Sequence, residues 1–182
     1  MNKFGYSRII IIGNNGSGKS FLAKELSAIT GLPIVHLDVE FWGPNWEQPT
    51  KEKWIMKQNE LISKEKWIID GNHTGTMELR FKSADLIIFL DINRLVCLLG
   101  VLRRYGKKRS DMPQHLEERF DLEFFKFLKG LWTFNKTRKR TIMELHEKYL
   151  HKSFLTLRSR GEINNLLNQL REKKLDTEIQ IL

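Results

Sequence analysis

The sequence contains a single cysteine, Cys97. One thiol excludes an internal disulfide and a cysteine metal cluster. It lies in the apolar run Leu95-Val96-Cys97-Leu98-Leu99, where a buried structural thiol is expected rather than a nucleophile. No His-x-x-x-His pair or Cys/His set has the spacing that zinc requires, and His36 and His73 stand isolated. Long hydrophobic runs are missing too: the stretch 95–102 falls far short of a membrane span. The opening Met1-Asn2-Lys3-Phe4-Gly5-Tyr6-Ser7 lacks the apolar core of a signal peptide. A cytoplasmic location without a membrane partner is therefore expected. Prolines number only 4, and no linker, repeat or low-complexity tract divides the chain. One domain over 1–182 is expected, with a sizeable core and a small lid. Acidic residues are in deficit: 22 Asp+Glu against 31 Lys+Arg leave a net charge of +9. That favours anionic partners without choosing among nucleotides, nucleic acid and anionic lipid. No helix-turn-helix or other DNA-reading module is evident, so nucleic acid is a partner that charge permits but no motif indicates.

What the sequence does carry begins near its start. Gly13-Asn14-Asn15-Gly16-Ser17-Gly18-Lys19-Ser20 matches G-x-x-x-x-G-K-[ST] at every required position. The β-branched run Arg8-Ile9-Ile10-Ile11-Ile12 before it reads as a buried strand. Phe21-Leu22-Ala23-Lys24-Glu25-Leu26 after it opens a helical pattern. Strand, loop and helix in that order suit phosphate binding. Glycines let the backbone curl its N–H groups inward, and the helix N-terminus adds partial positive charge. Lys19 is placed to reach the β- and γ-phosphates, and the Ser20 hydroxyl to ligate Mg²⁺. The loop implies ATP and Mg²⁺ as cofactors.

Apolar strand patterns alternate with helical ones along the rest of the chain. Strands are predicted over 8–12, 33–37, 67–69, 86–90 and 153–157. Helices are predicted over 50–63 with Thr50 as N-cap, 77–81, 94–105, onward from Pro113, and 162–170. The stretches 41–49 and 106–113 read as loops. This alternation predicts a parallel sheet covered on both faces. Right-handed crossovers then set the strand C-termini along one edge, where ligands of such sheets bind.

Several residues at that edge are candidates for chemistry. Asp70 ends the strand Trp67-Ile68-Ile69 and can hold Mg²⁺, or can simply cap the next turn. Asp91 competes for the same role, with turn capping the more ordinary reading. Asp38 follows the second strand on the side where a phosphoryl acceptor would lie. Its carboxylate can accept a hydroxyl proton or orient the acceptor, and again turn capping is the alternative. Phe41, Trp42 and Trp46 can close over an acceptor by stacking or can belong to the core. The segment Arg103-Arg104-Tyr105-Gly106-Lys107-Lys108-Arg109 has the charge of a lid over transferring phosphate, or of a solvated loop. Arg80 is a further candidate anion binder, with a helix-end charge as its alternative. The basic run 136–140 reads equally as a solvated helix face.

Taken together, the loop of residues 13–20, His36-Leu37-Asp38 with Phe41-Trp42, Trp67-Ile68-Ile69-Asp70-Gly71-Asn72, and the basic 103–109 segment followed by Asp111 resemble the nucleoside-monophosphate-kinase-like P-loop proteins. More narrowly, they resemble the bacterial topology modulation (FlaR-like) family, often labelled adenylate-kinase-related. The resemblance spans about residues 7–170. It implies an α/β, three-layer P-loop NTPase fold: a five-stranded parallel sheet flanked by helices, with a small basic helical lid at about 103–135. It implies phosphate contact from Lys19, Mg²⁺ contact from Ser20 and Asp70, phosphate clamps from Arg104 and Arg109, and an adenine contact from the Arg158-Ser159-Arg160 loop. Adenylate kinases continue Asp-Gly with Phe-Pro-Arg, whereas this chain reads Asp70-Gly71-Asn72-His73-Thr74. Arg80 is then the candidate to grip an acceptor in place of the missing arginine. Two functions are carried forward. One is an ATP-dependent kinase acting on a nucleotide or other small hydroxylated acceptor, with Lys19, Asp38, Arg104 and Arg109 catalytic and Asp38, Trp42 and Arg80 at the acceptor. The other is a nucleotide-dependent switch or weak ATPase that binds DNA or protein.

Overall fold

Isoleucines 9–12 are wholly buried, so both faces of the strand that carries them are covered. That strand, β1 (Arg8–Gly13), sits at the centre of a parallel sheet; the computed structural model describes residues 5–104 and 122–179. The other strands are β2 (Ile34–His36), β3 (Trp67–Asp70), β4 (Leu86–Leu90) and β5 (Ser153–Leu157). Their order across the sheet is β2-β3-β1-β4-β5. The chain steps to opposite sides of β1 for β3 and β4, and the sheet opens a crevice at such a switch of direction.

The period of two along β1 divides the core. Ile9 and Ile11 face a cluster with Leu22, Ala23 and Leu26 of α1 (Lys19–Thr30), Cys97 and Val101 of α5 (Arg94–Arg104), Leu131 of α6 (Leu122–Thr133), and Ile163 and Leu167 of α8 (Arg160–Ile179). Ile10 and Ile12 face Trp54 and Leu61 of α3 (Lys51–Ile62), Met77 and Phe81 of α4 (Met77–Ser83), and Ile142 and Leu145 of α7 (Arg138–Lys148). Helices thus cover both faces, giving three layers. Thr50 caps α3 as its sequence suggests, its hydroxyl accepting the Lys53 N–H at 3.3 Å. No helix among the described residues is long and apolar enough to cross a membrane.

Some boundaries differ from those read in the sequence. Strand β2 stops at His36, and Asp38 lies within a short helix, α2 (Leu37–Phe41), where a strand end was expected. The basic run 136–140 leads into α7, whose Ile142 and Leu145 are buried. Of the expected lid, residues 105–121 lie outside the described residues, and Arg109 with them. The described helix of that range, α6, packs Leu131, Phe124, Phe127 and Leu128 against the domain core.

Candidate functional site

The P-loop curls between β1 and α1 because its glycines reach backbone conformations other residues avoid. Gly16 has φ of 78°, and a Cβ there would lie 2.1 Å from the Cys97 carbonyl oxygen of α5. Only glycine lets the loop and α5 come this close. Gly18 stands at the N-cap of α1, and no side chain caps that helix end. The first-turn N–H groups of α1 therefore keep their capacity to bind an anion. Ser17 Oγ is buried and lacks a hydrogen-bond partner among the described residues.

Lys19 folds back over this loop, its ammonium donating to the carbonyls of Gly13 (3.2 Å) and Asn14 (3.1 Å). Burial lowers its pKa; Asp38 and Asp70 oppose that, and Arg104 adds to it. A desolvated cation of this kind gains from an arriving anion. Asn14 is buried, donating to the Leu131 carbonyl of α6 at 3.0 Å and accepting the Asn15 N–H at 2.8 Å. Ser20 occupies the first turn of α1 and is half-buried.

The turn after β3 organises the other half of the site. Asp70 is buried, and parallel pairing sets it level with His36 of β2. His36 Nδ1 lies 2.8 Å from Asp70 Oδ1. Gly71 has φ of 128°, and a Cβ would fall 2.8 Å from that of Leu37. Asn72 then clamps the P-loop. Its Oδ1 accepts the Gly13 N–H at 3.1 Å, and its Nδ2 donates to the Gly13 carbonyl at 2.8 Å. His73, at a φ of 35°, brings Nε2 within 3.1 Å of Asp38 Oδ1. The two histidines are therefore not isolated: each meets one of the candidate aspartates.

Asp38 keeps 59% of its side chain exposed. Partial desolvation raises its pKa, but the His73 hydrogen bond and the positive charges of Lys19 and Arg104 outweigh this and hold it below its usual value. Asp38, Asp70 and Arg104, read separately from the sequence, all act on Lys19, and Lys19 and Arg104 act on Asp38. Trp42 belongs to an aromatic group with Phe41 and Trp46 beside Asp38.

Arg80 departs from its expected role. It is 0% exposed, and burial pushes its pKa down to about 9, which leaves it charged at neutral pH. Its guanidinium donates to Gln58 Oε1, Thr76 Oγ1 (3.2 Å) and the Asn72 carbonyl. It supports the clamp from within the core, closed off from solvent. Asp91 is likewise engaged, with both carboxylate oxygens 2.8 Å from Lys139 of α7. Of these two strand-end acids, Asp70 is the one whose charge acts on Lys19. On the far side of the P-loop, a cavity of about 160 Å³ is lined by Ser17, Gly18, Phe21, Arg160, Ile163 and Asn164. It adjoins the Arg158-Ser159-Arg160 loop after β5.

Asn72, His36 and His73 carry more of this geometry than their sequence signals suggest. Each histidine meets the aspartate of the other segment, His36 that of β3 and His73 that of α2, so no local signal marks either pairing.

Sheet order, covered faces and the loop at the switch point together define a three-layer α/β P-loop fold. The same fold is found in a shikimate kinase from Acinetobacter baumannii in complex with shikimate: TM-score 0.58, 14% identity, and 95% of each chain covered. A gluconokinase from Sinorhizobium meliloti 1021 is also similar: TM-score 0.52, 12% identity, covering 96% of this chain and 95% of that one. No protein-family model matches the chain, and no curated protein sequence matches it.

Proposed function

We propose that the chain is an ATP-dependent small-molecule phosphotransferase acting on a hydroxyl of a nucleotide or other small acceptor. The observation that carries this reading is Asp38: an accessible carboxylate held in its ionised form beside the P-loop lysine. It can receive the proton of an attacking hydroxyl. The acceptor oxygen then bonds to the γ-phosphorus, the bond from that phosphorus to the β,γ-bridging oxygen breaks, and ADP leaves. In this reading Lys19 and Arg104, both of which act on Asp38, offset the charge of the moving group. The uncapped N-terminus of α1 and the desolvated Lys19 fit a phosphate chain. Ser20 and Asp70 would hold Mg²⁺, which supplies charge neutralisation on the phosphates when bound. The cavity beside Arg160 fits the expectation that the base lies near the loop after β5. A cytoplasmic setting, where ATP is supplied, goes with this reading.

The alternative, a nucleotide-dependent switch on DNA as the topology-modulation resemblance implies, loses part of its support. Lys139 is paired with Asp91 and Arg140 with Glu144, so two cations of the basic run already have protein partners.

The test is a screen of hydroxylated metabolites for acceptor-dependent ADP release. For any acceptor found, Asp38→Asn is expected to lower turnover by roughly 10²–10⁴, the range of general acid–base assistance, with ATP affinity within a few-fold of the parent. Normal turnover by the variant removes Asp38 from the chemistry. Failure of a broad screen favours the switch.

A further inference from the structure

One oxygen of the Asp38 carboxylate is already engaged. His73 Nε2 lies 3.1 Å from Oδ1. An ionised carboxylate can only accept, so the imidazole carries a proton on Nε2 and donates it. The two side chains differ in setting: that of His73 is 16% exposed and that of Asp38 59%. Among the described residues, Oδ2 has no hydrogen-bond partner.

His73 is fixed at both backbone and ring. Its φ of 35° and ψ of 66° are a left-handed conformation that residues with a side chain rarely adopt, and strain of this kind persists only where the surroundings enforce it. Its carbonyl accepts the Thr76 N–H at 3.0 Å and the Thr76 hydroxyl at 3.3 Å. That hydroxyl oxygen in turn accepts from the buried Arg80 guanidinium at 3.2 Å. The imidazole centroid lies 4.4 Å from that of Phe41 in α2 and 5.1 Å from that of Trp54 in α3. A chain of contacts thus runs from the core through Arg80 and Thr76 to His73, and ends on Asp38.

Other charges near Asp38 do not select an oxygen. Lys19 and Arg104 act on it by charge, and Glu40 of the same helix is matched to Lys57 of α3 at 3.2 Å. The His73 bond is directional: it takes one oxygen and sets the carboxylate plane. An exposed aspartate otherwise moves among its rotamers. A general base works only within hydrogen-bond reach of the proton it takes, so its orientation decides its efficiency.

Granted the kinase reading, on which this rests, we infer that His73 is a positioning residue: its Nε2–H pins Asp38 Oδ1 and presents Oδ2 as the oxygen that takes the acceptor's proton. The hydroxyl O–H bond breaks and its proton passes to Oδ2. The acceptor oxygen bonds to the γ-phosphorus, and the bond to the β,γ-bridging oxygen breaks to release ADP. His73 donates its hydrogen bond throughout and neither gains nor loses a proton.

Two substitutions in the full chain separate this bond from packing. His73→Phe keeps a ring between Phe41 and Trp54 but deletes the N–H. His73→Gln loses the ring but returns an N–H donor of similar reach. His73→Asn, which tolerates the left-handed backbone, replaces His73→Phe should that variant not fold. The first readout needs no acceptor. The Asp38 carboxyl carbon, labelled with ¹³C-aspartate and assigned through Asp38→Asn, is followed by NMR against pH. The His73 bond holds the carboxyl pKa down, so the midpoint in His73→Phe is expected at higher pH than in the parent, with His73→Gln between them. The second readout uses the compound that drives ADP release in the metabolite screen. His73→Phe is expected to lower kcat roughly 10–100-fold, the effect of losing one hydrogen bond to a charged group, with KM for ATP within a few-fold. His73→Gln is expected to recover most of kcat. In an Asp38→Asn background, His73→Phe is expected to cost nothing further, because a residue acting through another loses its effect with it. A packing role reverses the order, leaving His73→Phe like the parent and His73→Gln the weaker, and that result overturns the inference. So does a kcat loss that persists in full without the Asp38 carboxylate. If the Asp38 midpoint stays in place while an acceptor turns over, the positioning role alone fails and the kinase reading stands. If the midpoint moves but no compound drives ADP release, the kinase reading falls and takes the role of His73 with it.

Discussion

Replacing Asn72 with leucine removes both hydrogen bonds that hold Gly13 while keeping the branching and heavy-atom count of the side chain. The two bonds are unequal in what they leave behind. The buried Gly13 N–H donates to Asn72 Oδ1, and losing that acceptor strands a buried donor, at about 1–3 kcal/mol. The Gly13 carbonyl loses Asn72 Nδ2 but keeps the Lys19 ammonium at 3.2 Å, so its loss is nearer one ordinary bond, about 0.5–1.5 kcal/mol. The sum is a destabilisation of about 1.5–4.5 kcal/mol. With a urea dependence of about 2 kcal/mol per molar, the unfolding midpoint is expected to fall by about 1–2 M. Gly13 is the first residue of the P-loop, so ATP affinity of the folded variant, measured by calorimetry well below the unfolding transition, is expected to fall several-fold. Asn72→Ala adds a cavity and is expected to be worse. A midpoint within about 0.3 M of the parent, with ATP affinity unchanged, would refute the clamp.

Lys19→Ala removes the P-loop cation, and loss of a charge-assisted contact worth about 1.5–3 kcal/mol is expected to weaken ATP binding at least tenfold by calorimetry, with the fold intact. Unchanged affinity would sink the nucleotide assignment. Arg80→Met keeps an unbranched apolar stem but leaves Gln58 Oε1 and the Asn72 carbonyl without their guanidinium donor. A loss of about 2–4 kcal/mol in urea unfolding is expected, with ATP affinity of the folded variant within a few-fold. Unchanged stability together with lost ligand binding would return Arg80 to the ligand.

The fold was legible because its signals are local. Isoleucine runs, the glycine-rich loop and the Thr50 cap each declare an element within a few residues, and parallel pairing follows from their alternation. The site was only half legible. Strand-end aspartates and the P-loop lysine are found by position along one strand. Asn72 and His73 act on groups 59 and 35 residues away, and nothing local marks such partners. Arg80 was misread for a related reason. An arginine in a short amphipathic helix looks exposed until tertiary packing shows Phe81 and Met77 buried beside it. The basic run 136–140 looked like one surface feature, but Lys139 turns out to tie α7 to the end of β4.

The turn from Asp70 to Asn72 and His73 also means that the P-loop and α2 cannot be set independently. Asp70 is joined to His36 in β2, Asn72 to Gly13 in the P-loop, and His73 to Asp38 in α2. Arg80 of α4 fixes the turn from below through the Asn72 carbonyl. Gly71 lies against Leu37, the residue before Asp38, with no space for even a methyl group. Close-packed interiors transmit such contacts with little give. A displacement of the turn therefore moves the loop that carries Lys19 and the helix that carries Asp38 together. In-line transfer needs donor and acceptor aligned to a fraction of an ångström. In the proposed phosphotransferase, tying both to one four-residue turn would supply that alignment through the side-chain hydrogen bonds of Asn72 and His73.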